Sequence, residues 1–237
     1  MDRHLYPSFT DNWDNNIFRK FIEEAVTPES ICLDYRARRG ALPQMNFIDR
    51  AKFVAGVDPD AAIFENPYLN EAKLIDLSNS IIPYADNTFD IVWSNNVLEH
   101  VQAPSIVFNE VFRGLKPGGI FLSKTPNKLH YIPTIARLLP MSFHKFYNKL
   151  RGRKEIDTFP TVYMCNTKAS ITKYAHKSGF EVVSINLSEG RPEYLRLNSF
   201  MYLFGFLYER IVNLTDILAL FRSVIILVLQ KPTTFTD

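Results

Sequence analysis

Asp90-Ile91-Val92-Trp93-Ser94 runs into Asn95-Asn96-Val97-Leu98-Glu99-His100-Val101; further on comes Glu110-Val111-Phe112-Arg113-Gly114-Leu115-Lys116-Pro117-Gly118-Gly119-Ile120-Phe121-Leu122. The first five residues are β-branched and aromatic around one acid, which reads as a strand. Ala103-Pro104-Ser105 then opens a helix, and Ile106, Val107, Val111 and Leu115 recur at helical spacing. Lys116-Pro117-Gly118-Gly119 stops it, because proline cannot continue a helix and glycine takes the turn. Ile120-Phe121-Leu122 begins the next strand. Strand, helix and strand in this order predict a parallel pair joined by a crossover.

Upstream the same alternation continues. Ile31–Tyr35 reads as a short buried strand carrying Asp34, 52–57 as a second ending at Asp58-Pro59, and 73–76 as a third ending on Asp76. Such a series predicts an α/β fold with a mostly parallel sheet covered on both faces. Downstream, 126–160 is basic and aromatic, holds Pro133 and Pro140, and has no clean strand. Residues 167–178 read as a helix closed by Gly179; 181–186 and 223–229 read as two more strands with a long apolar helical stretch between them. No repeat or low-complexity linker divides the chain. The expectation is one domain over 1–237, with 126–165 as a lid and acceptor region and 195–221 as a helical insertion before the last strand.

The 237 residues are 46% hydrophobic and 22% charged, enough to bury a large core without staples. Twenty-seven Lys and Arg against 25 Asp and Glu leave a net charge of +2, too little to imply a nucleic-acid partner. Cys32 and Cys165 lack C-x-x-C or metal spacing, and Cys32 sits in the apolar run Ile31-Cys32-Leu33, which suits a small core residue in a reducing compartment. The N-terminus has no apolar signal region. The apolar stretch 197–229 is broken by Glu209, Arg210, Asp216 and Arg222, short of the roughly 18 uninterrupted residues of a spanning helix. A cytoplasmic protein without a metal site is the expectation.

In open α/β sheets, ligands bind beyond the carboxyl ends of the strands. Here the first three strands end on Asp34, Asp58 and Asp76. Asp also caps turns, but three in succession favour a nucleoside site. The string from Ile82-Pro83-Tyr84-Ala85-Asp86-Asn87-Thr88-Phe89-Asp90 through Leu98-Glu99-His100 and Lys116-Pro117-Gly118-Gly119 to Thr125-Pro126-Asn127 resembles the class I S-adenosylmethionine (SAM)-dependent methyltransferases, in the branch that includes many small-molecule and glycan methyltransferases. That resemblance implies a Rossmann-like, seven-stranded sheet whose last strand alone is antiparallel, with helices on both faces. It also implies SAM as cofactor. Asp58 with Pro59 would hold the ribose, Asp76 and Leu77 the adenine edge, and Asn95 would face the methionine part.

One segment departs from the family. Its first strand normally runs into acid-x-Gly-x-Gly-x-Gly, where glycine permits positive φ and close backbone approach. This chain reads Asp34-Tyr35-Arg36-Ala37-Arg38-Arg39-Gly40, so Gly40 alone survives. Four outcomes stand open: a different loop path, SAM binding weakened or abolished, an anion site made by three arginines before a helix N-terminus, or arginines that simply point to solvent.

Methyl transfer from a sulfonium is an in-line displacement, and a base is needed only for a hydroxyl or protonated-amine acceptor. His100, after the fourth strand, and His130 with Tyr131, where a lid would fold, are the candidate catalytic residues. His144 and Tyr163 are weaker lid candidates. His144, Lys145, Lys149, Arg151, Arg153 and Lys154 make a basic lid suited to an acidic acceptor, or simply a solvated face. The leading expectation is methyl transfer to a small molecule, sugar or lipid-linked glycan. A methyltransferase-fold binding or scaffold protein is the rival, because Arg36 and Arg38 replace loop glycines. Peripheral membrane contact or a homodimer through 195–221 is the partner expectation.

Overall fold

The structure, a computed structural model, describes residues 5, 6, 12–78, 80–138, 161–193, 195 and 199–233. Seven strands form one sheet: β1 Ile31–Tyr35, β2 Phe53–Asp58, β3 Glu71–Leu74, β4 Phe89–Asn95, β5 Leu115–Pro126, β6 Glu181–Ser188 and β7 Val224–Gln230. Their order is β3-β2-β1-β4-β5-β7-β6. The β1–β2, β1–β4, β2–β3 and β4–β5 pairs are parallel, while β7 runs antiparallel to both β5 and β6. The chain winds outward from β1 in one direction and from β4 in the other. The crevice therefore opens between β1 and β4 at the carboxyl edge.

Among the described residues five helices accompany the sheet: α1 Trp13–Ala25, α2 Pro104–Gly114, α3 Tyr131–Leu138, α4 Lys168–Lys177 and α5 Ser199–Val212. Successive strand residues point to opposite faces, and the core divides accordingly. Leu33, Tyr35, Ala55, Val57, Val92, Phe121 and Leu227 pack with Val107, Phe108 and Val111 of α2 and Ile171 and Ala175 of α4. On the other face Cys32, Val54, Ile91, Trp93, Leu122 and Ile226 pack with Phe18 and Ile22 of α1 and with Phe47. Cys32 and Cys165 are both buried free thiols, so Cys32 acts as a small core residue.

Four sequence expectations shift. The third strand is Glu71–Leu74, which leaves Asp76 in the turn beyond it. β5 starts at Leu115, so Pro117-Gly118-Gly119 is an irregularity inside a strand: Phe89 pairs with Leu115, but Ile91 already pairs with Ile120. Gly118 has φ +81°, and a Cβ on Gly119 would lie 2.8 Å from the Lys116 carbonyl oxygen, which is why glycine is required there. No long helix follows the arginine loop; the β1–β2 connection holds only a three-residue 3-10 turn, Pro43–Met45. The apolar stretch before β7 is α5 plus a separate 3-10 turn, Leu218–Phe221, rather than one continuous helix. The basic run from His144 to Lys154 lies outside the described residues.

Candidate functional site

The loop after β1 decides the character of the crevice. Arg36, Arg38 and Gly40 have φ of 62°, 51° and 72°, so every second residue is left-handed, the pattern three glycines would supply. An L-residue held there costs about 1–2 kcal/mol. Neighbours impose the shape. The Arg36 and Ala37 N–H groups both donate to the Val57 carbonyl oxygen, at 2.7 and 3.2 Å. The Asn66 amide donates to the Ala37 and Arg38 carbonyl oxygens, and a Cβ on Gly40 would meet Asn66 Oδ1 at 2.3 Å. The loop therefore makes its left-handed turns at the three positions where the family carries glycine. The anion-site expectation loses its helix, because a three-residue 3-10 turn carries no macrodipole of consequence.

Asp58, buried at the end of β2, closes the clasp: Oδ2 accepts the Arg38 N–H at 3.1 Å and Oδ1 the Asp60 N–H at 2.9 Å. Burial raises its carboxyl above the usual carboxylate range, and the two backbone donors together with Arg36 and Arg38 pull it back. Asp34 is buried on β1, in register with Trp93 of β4. Burial pushes its carboxyl up to about 7; the Trp93 side chain lowers it and the nearby Asp58 raises it further. Pro59, next to Asp58, is exposed. Asp76 and Leu77 are exposed past β3, and Asp76 accepts the backbone N–H and hydroxyl of Ser78, which hold its carboxyl low. Asp34, Asp58, Asp76 and Asn95 thus belong to the four adjacent strands β1 to β4, at or just beyond their carboxyl ends.

Asn95 ends β4. Its Nδ2 donates to Asn15 Oδ1 at 3.0 Å, while its own Oδ1 is buried without a donor among the described residues. Lys124, opposite Asn95 on β5, is fully buried and donates to Asp14 Oδ2 and to Asn15 Oδ1. Burial lowers its pKa and Asp14 restores part of it. The start of α1 therefore braces this edge, a role that sequence reading missed. The signal was present: Trp13, Phe18 and Ile22, with Ile17, Phe21 and Ala25 beside them, form one helical stripe.

The acceptor candidates lie past β4 and β5. His100 ends the 3-10 turn Leu98–His100, partly exposed, with Nε2 at 3.9 Å from Glu99 Oε1. Glu99 is itself buried and accepts the Thr125 hydroxyl at 3.0 Å, and Asn166 Nδ2 donates to Thr125 Oγ1 at 2.6 Å. Tyr163, a weaker lid candidate, sits at φ 50° with its N–H on the Glu99 carbonyl oxygen. His130 is buried: Nε2 is 3.4 Å from Glu189 Oε2, and Nδ1 accepts the Ile132 N–H at 3.4 Å. Burial lowers His130 to about 4 and raises Glu189 to about 7, the latter moderated by the Ser223 hydroxyl and N–H. The rings of Tyr131 and Tyr208 pack on the imidazole at 4.2 and 5.4 Å. Glu189 and Tyr208, not singled out from sequence, thus complete a buried cluster in which both nitrogens of His130 are engaged. His100 is the more open imidazole. Among the described residues no His, Cys, Asp and Glu cluster suits a metal ion.

The chemistry of this edge fits a nucleoside joined to an amino acid. Two buried aspartates, Asp34 and Asp58, sit on the adjacent strands β1 and β2, and the orphan acceptor Asn95 Oδ1 wants an N–H donor. A family model described as a methyltransferase domain matches residues 40–123, beginning just after the arginines. A Mycolicibacterium smegmatis protein described as a probable S-adenosylmethionine-dependent methyltransferase is 32% identical over 88 residues, 36% of this chain and 34% of that protein. The chain thus spans about a third of the length of the curated relatives it matches. An S-adenosylmethionine-dependent methyltransferase from Mesorhizobium loti superposes with TM-score 0.56 at 15% identity, over 93% of this chain and 98% of the other. The [4+2]-cyclase SpnF does so equally, at 0.56 and 15% over 92% and 81%. At such identities the likeness shows the fold alone.

Proposed function

We propose that this chain, a member of the class I SAM-dependent methyltransferase family, binds SAM across β1, β2 and β4 and transfers its methyl group to a hydroxyl of a small molecule, sugar or lipid-linked glycan. The observation that carries the reading is the loop at 36–40. Two arginines are held left-handed at a cost of about 1–2 kcal/mol each, and strain kept in a crevice points to use rather than accident.

In this reading Asp58, with Pro59, receives the ribose hydroxyls through the lone pairs its backbone donors leave free. Asp76 and Leu77 border the adenine. Asp34 and Asn95 Oδ1 face the cationic amino end of the methionine part, and Gly40 lets the chain pass close to Asn66. The bound cofactor supplies an electrophilic methyl group on a sulfonium. The chain's own contribution is to hold an acceptor oxygen in line and take its proton. His100, with Glu99 behind it, is placed for that transfer, and His130 and Tyr131 with Glu189 wall the acceptor side.

The test is transfer of radiolabelled methyl groups from SAM into hydroxyl-bearing fractions: sugars, and lipid-linked glycans. The expected result is incorporation that falls at least ~100-fold in His100→Gln, with SAM affinity unchanged. Incorporation untouched by that substitution removes His100 from the chemistry. SAM binding without transfer to any fraction supports the binding-protein reading instead.

A further inference from the structure

Behind His100 runs a chain of polar side chains, Glu99, Thr125 and Asn166, all of them buried. Thr125 Oγ1 lies 3.0 Å from Glu99 Oε2 and 2.6 Å from Asn166 Nδ2. The protons on this chain have one arrangement. Asn166 Nδ2 also meets the Pro126 carbonyl oxygen at 3.2 Å, and a carbonyl only accepts, so the atom facing it is the amide nitrogen. Thr125 Oγ1 therefore accepts from Asn166, and its own single proton goes to Glu99 Oε2. That oxygen is committed as an acceptor. Oε1 is left over, and it is the oxygen that stands 3.9 Å from His100 Nε2.

The arrangement is kept against opposing forces. Asn166 Oδ1 is buried with no donor among the described residues, an orphan that ordinary packing avoids. Burial raises the Glu99 carboxyl; its own backbone N–H, His100, the Thr125 hydroxyl and Lys124 work the other way. Lys124, which is paired with Asp14, and Cys165 are the other titratable groups that face Glu99. Among the described residues Thr125 alone hydrogen-bonds the carboxylate through a side chain. The same residues anchor the acceptor region. The Val162 and Tyr163 N–H groups donate to the Glu99 carbonyl oxygen at 2.8 and 3.1 Å, and the Lys128 N–H to the Asn166 carbonyl oxygen at 2.9 Å. Both ends of that region are thus tied to members of the chain.

We infer that Thr125 and Asn166 are positioning residues for His100: they keep Glu99 ionised and turn its free oxygen toward the imidazole. The wiring stands on the geometry; its catalytic consequence rests on the proposed methyl transfer.

The experiment follows the Glu99 carboxyl by carbon NMR across a pH titration of the full chain without SAM, the resonance being assigned by its loss in Glu99→Gln. Thr125→Val removes the hydroxyl that favours the charged form, so Glu99 is expected to titrate at least ~0.5 pH unit higher, about a 3-fold gain in proton affinity. Methyl transfer by the same variant is expected to lose at least ~10-fold in kcat with KM for SAM unchanged. Thr125→Ser, which gives the hydroxyl back, is expected to restore both. Should Thr125→Val fail to melt cooperatively, Asn166→Ala cuts the chain one link further out, and a smaller rise in the Glu99 titration is expected. A Glu99 titration unmoved by the folded variant overturns the wiring. A titration that moves while kcat does not overturns the role, and so does a serine variant that behaves like the valine one. Absence of transfer by the wild type sinks the methyl-transfer reading alone, because the Glu99 titration is read without it.

Discussion

The loop at 36–40 and the stretch at 90–123 lie side by side on neighbouring strands, and they are specified in opposite ways. In the stretch, local preference and final structure agree: β-branched residues make β4, helical spacing makes α2, and glycine stands where β5 is pinched at Gly119. In the loop they disagree. Arg36 and Arg38 disfavour positive φ, yet the Val57 carbonyl, the Asp58 carboxylate and the Asn66 amide hold them there. A motif records what residues prefer alone, whereas a loop clamped on several sides adopts what its neighbours require.

The largest expected effect comes from releasing the edge where α1 meets β4 and β5. Asp14→Ala leaves Lys124 buried without its carboxylate partner, and loss of roughly 3–5 kcal/mol is expected. Chemical denaturation reads it, and an unchanged midpoint would mean that α1 does not brace the site. Next comes the clasp. Asp58→Ala removes the acceptor for the Arg38 N–H and, in the proposed reading, the ribose partner at once, so SAM affinity should weaken by ~1.5–3 kcal/mol, about 10- to 150-fold. Equal affinity in the mutant would take Asp58 out of the site.

How much of this was legible follows the same division. The strand–helix alternation and the acids at the strand ends follow from patterns of a few residues. The antiparallel last strand was implied by the resemblance to class I methyltransferases, and the strand order came from the structure. Helix α1 shows a clear periodicity too, but nothing in sequence links Asp14 to Lys124, 110 positions away. Glu189 likewise carries no local motif; only the turn after β6 brings it to His130. The end of β3 was misplaced by two residues because Asp76 looks like the strand-end acids before it, although its carboxylate is used by its own turn.

Proton linkage sharpens the comparison further. The Asp34 carboxyl is held up to about 7, against ~3.9 for an unfolded chain, so the folded state carries the extra proton between those values. Its contribution to stability is therefore largest at acid pH and is lost as pH rises toward about 7; Glu189, also raised to about 7, adds to the same slope. Asp34→Asn should flatten part of it in denaturation curves taken from pH 5 to 8. A cationic amino group prefers the carboxylate, so SAM affinity should fall ~10-fold per pH unit below about 7 and level off above it. Affinity independent of pH across that range places the amino end away from Asp34.

The smallest effect concerns the arginines. Arg36→Gly with Arg38→Gly relieves about 1–2 kcal/mol of strain per site and adds somewhat under ~1 kcal/mol of unfolded-state entropy to each. Thermal melts should show a net gain of at most ~1 kcal/mol per site, and closer backbone approach should tighten SAM at least ~10-fold. A clear loss of stability would mean that the arginine side chains hold the loop rather than strain it.

The central claim is that the clamped loop leaves a working cofactor edge despite its arginines. Calorimetric titration of the wild-type chain with SAM tests it most directly. The account predicts one site per chain with a dissociation constant of about 1–100 μM, some 5–8 kcal/mol. Absence of binding at about 1 mM SAM, in a chain that melts cooperatively, would contradict it.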